Sequence, residues 1–507
     1  MRQSVKALTL PSKNISNSTM RILLIAPLQE DAGIQNWGAP SLGIIRIADY
    51  IRSYLPEVDV EIFDSQIDAC DSIERWNFEY FDIVGISLLH YTLKNTLEFM
   101  NRWKKIHPES LIVVGGNEAA ANYQDVFDKS PTDIAVLAEG EDVFLNIVKW
   151  KMGQKRLEDI SGIIYRKYAE PITDAKLWDY WKDINFSKHR YPDYWDQIAS
   201  LYEEPDYEKI KYVRLLNTSH CQRKCTFCSL STVRTIACGK TIKPASLKGW
   251  QIMELVNKVH EQLPDVRTIY FCADDVFYPK KRDFLDFINL YKKSGYDYRI
   301  LIQTSTLSIE EEDFPKLKEI NCQHITLGIE NCSDRVRNSL GKHQSSKKIE
   351  KIIEWGRKYG IQIYYLIILI PPESTMEDLW ENYDTITKWI EHGVQISVEP
   401  FVYVYRGTPL YEDIKYNFMY ERRKIEGNNY FLKNATLIVP NDPEVRALSL
   451  EFLEKKDTFI NEKFGYKSHG HKFKGETGPI LIELLGELLK QKDPCRKCFS
   501  LTEEVSL

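Results

Sequence analysis

The chain has 507 residues, and typical domain sizes predict about three domains for that length. Hydrophobic residues make up 43% and charged residues 28%, a balance typical of folded globular proteins, which excludes disorder as the default state. Lys and Arg number 67 against 73 Asp and Glu, so the net charge of −6 provides no basic field to hold a nucleic acid.

Targeting signals and cysteine usage indicate the compartment. Residues 1–20 are polar and lack the apolar centre of a secretory signal. The longest apolar run surrounds residues 364–370 and is far shorter than the roughly 20 residues needed to cross a bilayer. We therefore expect a cytoplasmic protein without stable membrane insertion. Ten cysteines, clustered along the chain, favour reduced thiols and metal ligation over a disulfide framework.

The N-terminal part alternates strands and helices. Residues 21–26 form a short apolar run, and a helix predicted over 42–54 follows it. This alternation predicts a doubly wound parallel sheet of the flavodoxin or Rossmann type over residues 20–150, with its ligand beyond the carboxyl ends of the strands. Further strands are predicted over 58–63, 82–87, 111–114 and 133–137, with a helix over 93–105 between them.

Small residues follow several of these strands. Glycine at a strand end lets a large flat or phosphorylated ligand approach the backbone closely. Because the turns of any such sheet need glycine, a purely structural role stays equally open. The residues concerned are Gly85, Ser87, Gly115, Gly116, Glu139 and Gly140.

A second series of strands and helices follows an aromatic-rich connection over residues 151–210, which we predict to be a linker packed on its neighbours. Over residues 211–410 six strands alternate with helices, and parallel strands with right-handed crossovers close into a partial (β/α)6 TIM-like barrel. These strands are predicted over 211–216, 268–271, 298–303, 324–329, 361–369 and 394–402.

Beyond residue 410 the chain is strongly charged, and residues 411–507 are predicted to form a helical C-terminal subdomain. A helix is predicted over 443–463, with Asp442 as its N-cap and Pro443 at the first helical position.

Three cysteines follow the first barrel strand directly, in the array C-x-x-x-C-x-x-C: Cys221, Cys225 and Cys228. A four-iron cluster normally takes four thiolate ligands, so three leave one iron open. An open iron can chelate the amino and carboxylate groups of S-adenosylmethionine (SAM), whose cleavage gives a 5′-deoxyadenosyl radical. Structural zinc is the alternative, with His220 or Cys238 as a fourth ligand, although zinc prefers paired C-x-x-C units.

This array, with Phe227 just before its last cysteine, resembles the radical SAM superfamily. The order of domains is similar to its cobalamin-binding class, called class B when the member is a methylase. The resemblance covers about residues 20–410. It includes the weaker motifs over residues 40–43, 115–116, 139–141, 270–275, 328–331, 371–374 and 407–410.

The resemblance implies roles for individual residues. Carboxylates at barrel strand ends suit the SAM ammonium group, although such residues also cap helices. The SAM-binding candidates are Phe227, Asp274, Asp275, Gln303, Ser305 and Glu330. The cobalamin-binding candidates are Leu42, Gly43, Gly85, Ser87, Gly115, Gly116, Glu139 and Gly140. Tyr403, Tyr405 and Arg406 are candidates for the substrate side, although aromatic residues here are as often part of a core.

Two features depart from the family or lie outside it. The D-x-H-x-x-G element that supplies a histidine to cobalt in many cobalamin proteins is absent, so we expect no histidine from that motif on the metal. His90, on the turn after the third strand, could face a corrin or pack structurally. Near the C-terminus, Cys495 and Cys498 form a C-x-x-C pair that fits half of a metal site, a redox couple or an unliganded pair.

The resemblance implies an oxygen-sensitive enzyme with a [4Fe-4S] cluster, SAM and cobalamin, most simply a C-methyltransferase at an unactivated carbon. It implies a small-molecule substrate and a flavodoxin, ferredoxin or other reductase as electron donor. Two alternatives stay open. One is a rearrangement, cyclisation or ring contraction without methyl transfer, and the other is an iron-sulfur or corrinoid-binding sensor without turnover. Neither the substrate nor a catalytic side chain is identified by the sequence.

Overall fold

The structure is a computed structural model. It describes residues 19–26, 38–68, 79–89, 92–137, 139–165, 168–170, 179–200, 202–230, 241, 243–405, 408–413, 417–418, 436–464 and 474–493.

A seven-stranded sheet forms the N-terminal domain, with strand order β2-β1-β3-β4-β5-β6-β7. Its first five strands pair in parallel, in the order typical of a flavodoxin-like fold, which confirms the predicted parallel sheet. The last two form an antiparallel hairpin, inside the segment predicted as a linker. The strands are β1 Arg21–Ile25, β2 Asp59–Phe63, β3 Ile83–Ser87, β4 Leu111–Gly115, β5 Ile134–Val136, β6 Ile163–Tyr165 and β7 Tyr168–Glu170.

Helices cover both faces of this sheet, because successive strand residues point to opposite sides. Along β1, Leu23 and Ile25 join one core while Ile22 and Leu24 join the other. Helices α2 and α3 close the first core, and α1 and α4 close the second. These helices are α1 Leu42–Tyr54, α2 Leu93–Ile106, α3 Asn117–Lys129 and α4 Glu141–Lys151.

The connection to the second domain is packed throughout its described part. Buried Tyr180, Tyr191 and Trp195 belong to the same core as the barrel strands. The connection contains the helices α5 Tyr180–Asp183, α6 Tyr191–Ala199 and α7 Tyr207–Ile210, and the 3-10 turns Leu157–Asp159 and Phe186–Lys188.

Six parallel strands, paired in chain order, form the predicted partial barrel, with β8 and β13 at its edges. The strands are β8 Tyr212–Leu215, β9 Thr268–Phe271, β10 Arg299–Thr304, β11 Cys322–Glu330, β12 Gln362–Ile370 and β13 Gln395–Phe401. The helices between them are α8 Gly249–Gln262, α9 Lys281–Ser294, α10 Asp313–Glu319, α11 Asp334–Ser339, α12 Ser346–Tyr359 and α13 Met376–Glu391.

The C-terminal part is largely helical, as predicted, with a small antiparallel sheet of order β14-β16-β15 that the sequence analysis did not anticipate. Its elements are β14 Tyr403–Val404, α14 Pro409–Glu412, β15 Asn417–Phe418, β16 Thr436–Val439, α15 Pro443–Phe464 and α16 Lys474–Lys492.

Two contacts fix these C-terminal helices. The Asp442 carboxylate accepts hydrogen bonds from the backbone N–H groups of Glu444 and Val445, at 2.9 and 3.1 Å, which confirms it as the N-cap of α15. Helix α16 lies against the edge strand β13 so closely that a Cβ added at Gly478 would stand 2.7 Å from the Ile396 carbonyl oxygen. No helix within the described residues is long and apolar enough to span a membrane.

Candidate functional site

The cysteine loop lies at the carboxyl end of β8, as the sequence analysis predicts, and other loops hold it in place. The Thr226 N–H donates to the Leu340 carbonyl oxygen at 3.0 Å, and the Leu410 N–H donates to the Thr226 carbonyl oxygen at 3.0 Å. Gly341 packs directly beneath it, since a Cβ added there would lie 2.6 Å from the Lys224 carbonyl oxygen. The loop therefore rests on the segments after α11 and β13.

The three thiols lie in a desolvated setting. Burial raises the pKa of Cys221 to about 11 and that of Cys228 to about 12, and it also raises the pKa of Cys225. Thiolates at these positions require a positive charge, which ferric and ferrous ions supply.

Among the described residues no three His, Cys, Asp or Glu side chains converge on one point as ligands of a single ion. Two buried polar atoms near the loop, Asn217 Oδ1 and Thr226 Oγ1, lack hydrogen-bond partners among the described residues.

Glu330 ends β11 in a strained conformation beside a buried lysine. Its φ of 68° lies in the left-handed region, and the pairing of β11 with β12 shifts register between Gly328 and Glu330. Its carboxylate lies 2.8 Å from Lys342 Nζ, which also donates to the Gly328 carbonyl oxygen at 3.0 Å. Burial works against the charge of Lys342, but Glu330 and Cys225 keep its pKa above the ordinary value. Charges of both signs therefore meet beside the cysteine loop.

The candidates on β9 and β10 divide into two groups. Asp274 lies near the cysteine loop, where its charge contributes to raising the pKa of Cys221 and Cys228, after burial. Gln303 faces the barrel interior and accepts a hydrogen bond from the Tyr270 hydroxyl at 3.0 Å. Ser305 is buried and its hydroxyl accepts from the Leu307 N–H at 3.2 Å. The Asp275 carboxylate is instead engaged by protein groups.

Phe227, the aromatic residue of the cysteine array, is half-buried against a small apolar cluster at the top of the barrel. This packing anchors the last part of the loop between α11, β12 and the segment after β13. The members of the cluster are Val336, Leu340, Ile368, Val402 and Leu410.

A cavity of about 190 Å³ lies at the carboxyl ends of the N-terminal parallel strands. Seven of the eight residues predicted to bind cobalamin line it: Gly43, Gly85, Ser87, Gly115, Gly116, Glu139 and Gly140. The eighth, Leu42, packs instead against the barrel core. The structure thus gathers residues that are almost 100 positions apart into one cradle.

The glycines shape this cavity in different ways. Gly116 has a φ of 95°, and an added Cβ would lie 2.7 Å from the Leu88 carbonyl oxygen, so no larger residue fits without rearrangement. Gly43 also lines the cavity but is exposed, and an added Cβ there would meet no atom within 4 Å. A buried ion pair between Arg46 and Glu141 forms part of the lining. At about 190 Å³ the cavity is smaller than the pockets of about 300–1,000 Å³ that hold drug-sized ligands, so it has room for only part of a large cofactor.

The substrate-side candidates are only partly described. Tyr405 is half-buried, and burial, followed by the charges of Glu399 and Cys228, raises its pKa to about 12. The side chain of Tyr403 and all of Arg406 lie outside the described residues, as do His90, Cys238, Cys495 and Cys498.

Four residues near the two sites were not predicted from the sequence: Arg46, Arg223, Lys342 and Arg337. Arg46 and Lys342 sit beside predicted ligands only after folding, and neither occurs in a pattern that singles it out. Arg223 lies inside the cysteine array, and its spacing between two cysteines is the one signal that could have drawn attention to it.

Family profiles match both halves of the chain. The profile described as the radical SAM superfamily matches residues 217–386, and the profile described as the B12 binding domain matches residues 39–148. The first includes the cysteine loop, and the second includes the glycine-lined cavity.

Curated relatives are distant. An uncharacterized methyltransferase of Pyrococcus horikoshii is 22% identical over 371 residues, covering 71% of this chain and 76% of the relative. The anaerobic magnesium-protoporphyrin IX monomethyl ester cyclase of Rubrivivax gelatinosus is 21% identical over 388 residues, covering 73% of this chain and 66% of the relative.

Solved structures share the fold over nearly the whole chain. The cobalamin-dependent SAM radical enzyme OxsB, with aqua-cobalamin bound, aligns with a TM-score of 0.68 at 15% identity, covering 95% of this chain and 74% of that chain. The radical SAM methyltransferase TsrM of Kitasatospora setae, with cobalamin and a [4Fe-4S] cluster bound, aligns with a TM-score of 0.65 at 11% identity. The alignment covers 94% of this chain and 100% of that chain.

Proposed function

Because this chain belongs to the radical SAM superfamily and carries a B12-binding domain, we propose that it is a cobalamin-dependent methyltransferase acting on an unactivated carbon of a small molecule. One observation carries the proposal, namely that the cysteine loop and the glycine-lined cavity are fixed to each other. Arg214, at the end of the strand before the cysteine loop, donates to the carbonyl oxygens of Ala39 and Pro40 at 3.3 and 2.8 Å. That segment leads directly into the helix whose Gly43 lines the cavity.

The proposed cofactors are a [4Fe-4S] cluster, SAM and cobalamin. When they are bound, the cluster and SAM supply a 5′-deoxyadenosyl radical, and cobalamin supplies a carrier for the methyl group. The chain's own residues bind these groups, orient them and keep water away from the reacting carbon.

Cys221, Cys225 and Cys228 would hold the cluster through three of its irons. Beside it, the Glu330 carboxylate would accept a hydrogen bond from the amino group of SAM, and Lys342 would donate one to the SAM carboxylate. The remaining proposed SAM contacts are Asp274, Gln303, Ser305 and Phe227.

Seven residues would cradle cobalamin: Gly43, Gly85, Ser87, Gly115, Gly116, Glu139 and Gly140. Their backbones and small side chains would hold the nucleotide tail of cobalamin at the carboxyl ends of parallel strands, where such sheets bind ligands. Leu42 packs at the border of the two domains. Tyr405 would line the substrate side, for which Tyr403 and Arg406 stay sequence-based candidates. A flavodoxin or ferredoxin would deliver the electron.

A second candidate is a radical cyclisation or rearrangement that transfers no methyl group. The similarity to the cyclase of Rubrivivax gelatinosus favours it, because that relative aligns with 73% of this chain at 21% identity and is named for ring formation. The two candidates differ in the fate of SAM.

The test is an anaerobic reaction of the iron-loaded full chain with dithionite, SAM and cobalamin, scored by mass spectrometry. Methyl transfer predicts both S-adenosylhomocysteine and 5′-deoxyadenosine as products. When cobalamin is omitted, S-adenosylhomocysteine should disappear and 5′-deoxyadenosine should persist. Cys225→Ser should abolish 5′-deoxyadenosine, because the variant lacks one cluster ligand. Cys322→Ser, at a buried cysteine far from the loop, is the matched control and should retain it.

Two results would contradict the proposal. Formation of 5′-deoxyadenosine alone, with cobalamin demonstrably bound, would favour the cyclisation or rearrangement. A chain that holds its cluster and yet cleaves no SAM would favour the sensor.

A further inference from the structure

We propose that Arg223 and Asp275 form a positioning pair that fixes the cysteine loop and sets the local charge beside the cluster. The inference deepens the proposed function and rests on it, because it assumes that the loop binds an iron-sulfur cluster. It also gives Asp275 a role different from contact with SAM.

The Asp275 carboxylate is fully engaged by protein groups. Its side chain is 1% exposed, and Oδ1 accepts from the Thr304 hydroxyl at 2.7 Å and from the Phe277 N–H at 3.3 Å. Oδ2 accepts from the Ser308 hydroxyl at 2.6 Å and from the Arg223 guanidinium at 3.1 Å. A carboxylate accepts about four hydrogen bonds, so none remains for a ligand.

Arg223 connects this carboxylate to the cysteine array. It lies between Cys221 and Cys225, and its backbone N–H donates to Cys221 Sγ at 3.4 Å. Its guanidinium donates to Asp275 and, at 2.8 Å, to the Ser308 hydroxyl. It also lies 5.7 Å from the centre of the Tyr278 ring. One residue therefore ties a cluster ligand to the ends of β9 and β10.

The charges of the pair act on the cluster with opposite signs. A guanidinium is permanently charged and stabilises the more negative, reduced cluster, which raises the reduction potential. The Asp275 carboxylate opposes that effect, and charges that are buried to this extent are weakly screened. The pair thus makes two separable contributions: it tethers the loop, and its two opposite charges shift the reduction potential in opposite directions.

The experiment compares variants of the iron-loaded full chain without SAM or substrate. Arg223→Gln removes the positive charge, Asp275→Asn removes the negative charge, and Arg223→Lys keeps the charge but loses the planar fork of donors. The matched control is Asp283→Asn, because Asp283 is also buried and bonded to Ser246 and Lys248, but on helix α9. The readouts are the cluster midpoint potential, from an EPR-monitored titration, and the rate of iron release to a chelator.

We expect opposite shifts of the potential. Arg223→Gln should lower it, Asp275→Asn should raise it, and Arg223→Lys should leave it near the wild-type value. All three should release iron several-fold faster than the wild type and Asp283→Asn. A variant that loads no cluster, while Asp283→Asn loads fully, supports the tether.

The inference is overturned if Arg223→Gln and Asp275→Asn shift the potential in the same direction, or if every variant retains iron as Asp283→Asn does. A wild-type chain that binds no cluster would instead refute the proposed function. The two failures are therefore distinguishable.

Discussion

At the scale of single residues, a buried arginine supports the strained end of β11. Glu330 adopts a left-handed backbone conformation that costs a non-glycine residue of the order of 1 kcal/mol. The fully buried Arg337 donates to the carbonyl oxygens of Asn331 and Cys332, at 2.5 and 2.7 Å, and to that of Gln344 at 3.0 Å. It thereby joins the turn after Glu330 to the segment after Lys342, and this bracing holds the two charges in place.

Gly341→Ala should release iron from the cysteine loop. Gly341 has a φ of 72°, and the added Cβ would collide with the Lys224 carbonyl oxygen at 2.6 Å, which pushes the cluster loop away. We expect a several-fold loss of bound iron after anaerobic reconstitution, measured by colorimetric iron and sulfide assays.

Gly295→Ala is the matched control, because Gly295 has a φ of 75° and an added Cβ there meets no atom within 4 Å. It carries the backbone strain of about 1 kcal/mol without the collision. Equal iron contents in the two variants would contradict the packing of Gly341 beneath the loop.

The sequence predicts residues whose chemistry is visible locally and misses those defined by folding. Cys221, Cys225 and Cys228 lie within eight positions and share one recognisable ligand chemistry. Asp275 could be placed at a strand end, but its partners Arg223 and Ser308 lie 52 and 33 positions away. Periodicity does not reveal which hydroxyl groups will hydrogen-bond to a carboxylate. A carboxylate that is free to bind a ligand therefore looks the same in the sequence as one that protein groups already engage.

At the scale of elements, long periodic segments were predictable and short ones were not. All six barrel strands lie within a few residues of their predicted positions, since each is a buried apolar run between clear helices. The hairpin of β6 and β7 has strands of only three residues, and β14 has two. Such strands are too short for an alternation pattern, and their pairing comes from the neighbouring sheet edge.

The first turn of helix α1 offers a direct test of the cavity. Gly43→Leu should leave the fold intact and prevent cobalamin binding, because its side chain would extend into space that no protein atom occupies. Gly43→Ala should bind more weakly than the wild type and better than Gly43→Leu. Both changes raise helix propensity by up to about 1 kcal/mol, so thermal stability should not fall.

Binding is measured by titrating hydroxocobalamin and following its visible spectrum, with unfolding temperature recorded in parallel. An unchanged affinity in Gly43→Leu would exclude this cavity as the cobalamin site. A loss of affinity together with a collapse of stability would show a packing defect instead of a filled cavity.

At the scale of the whole molecule, helix α1 and the connection over residues 151–210 join the N-terminal sheet to the barrel sheet. The Tyr180 hydroxyl hydrogen-bonds with both the N–H and the carbonyl oxygen of Leu216, just before the cysteine loop. The Arg46 guanidinium lies 4.8 Å from the centre of the Tyr180 ring. Tyr180 therefore connects Arg46 in the cavity wall to Leu216 before the cysteine loop. Such a connection suits a reaction that must bring two large cofactors together.

Asp49→Ala should uncouple the N-terminal domain from the barrel. Asp49, on α1, is 3% exposed and accepts from the Asn185 N–H at 2.8 Å, while its Oδ2 lies 2.6 Å from His189 Nε2. Removing the carboxylate leaves these buried groups of the connection unpaired, at about 1–3 kcal/mol. We expect calorimetric unfolding to split into two transitions, the first below the wild-type temperature. Asp142→Ala, which loses the hydrogen bond from the Asn146 side chain within its own helix, should unfold as the wild type does, and identical traces for both variants would contradict the coupling.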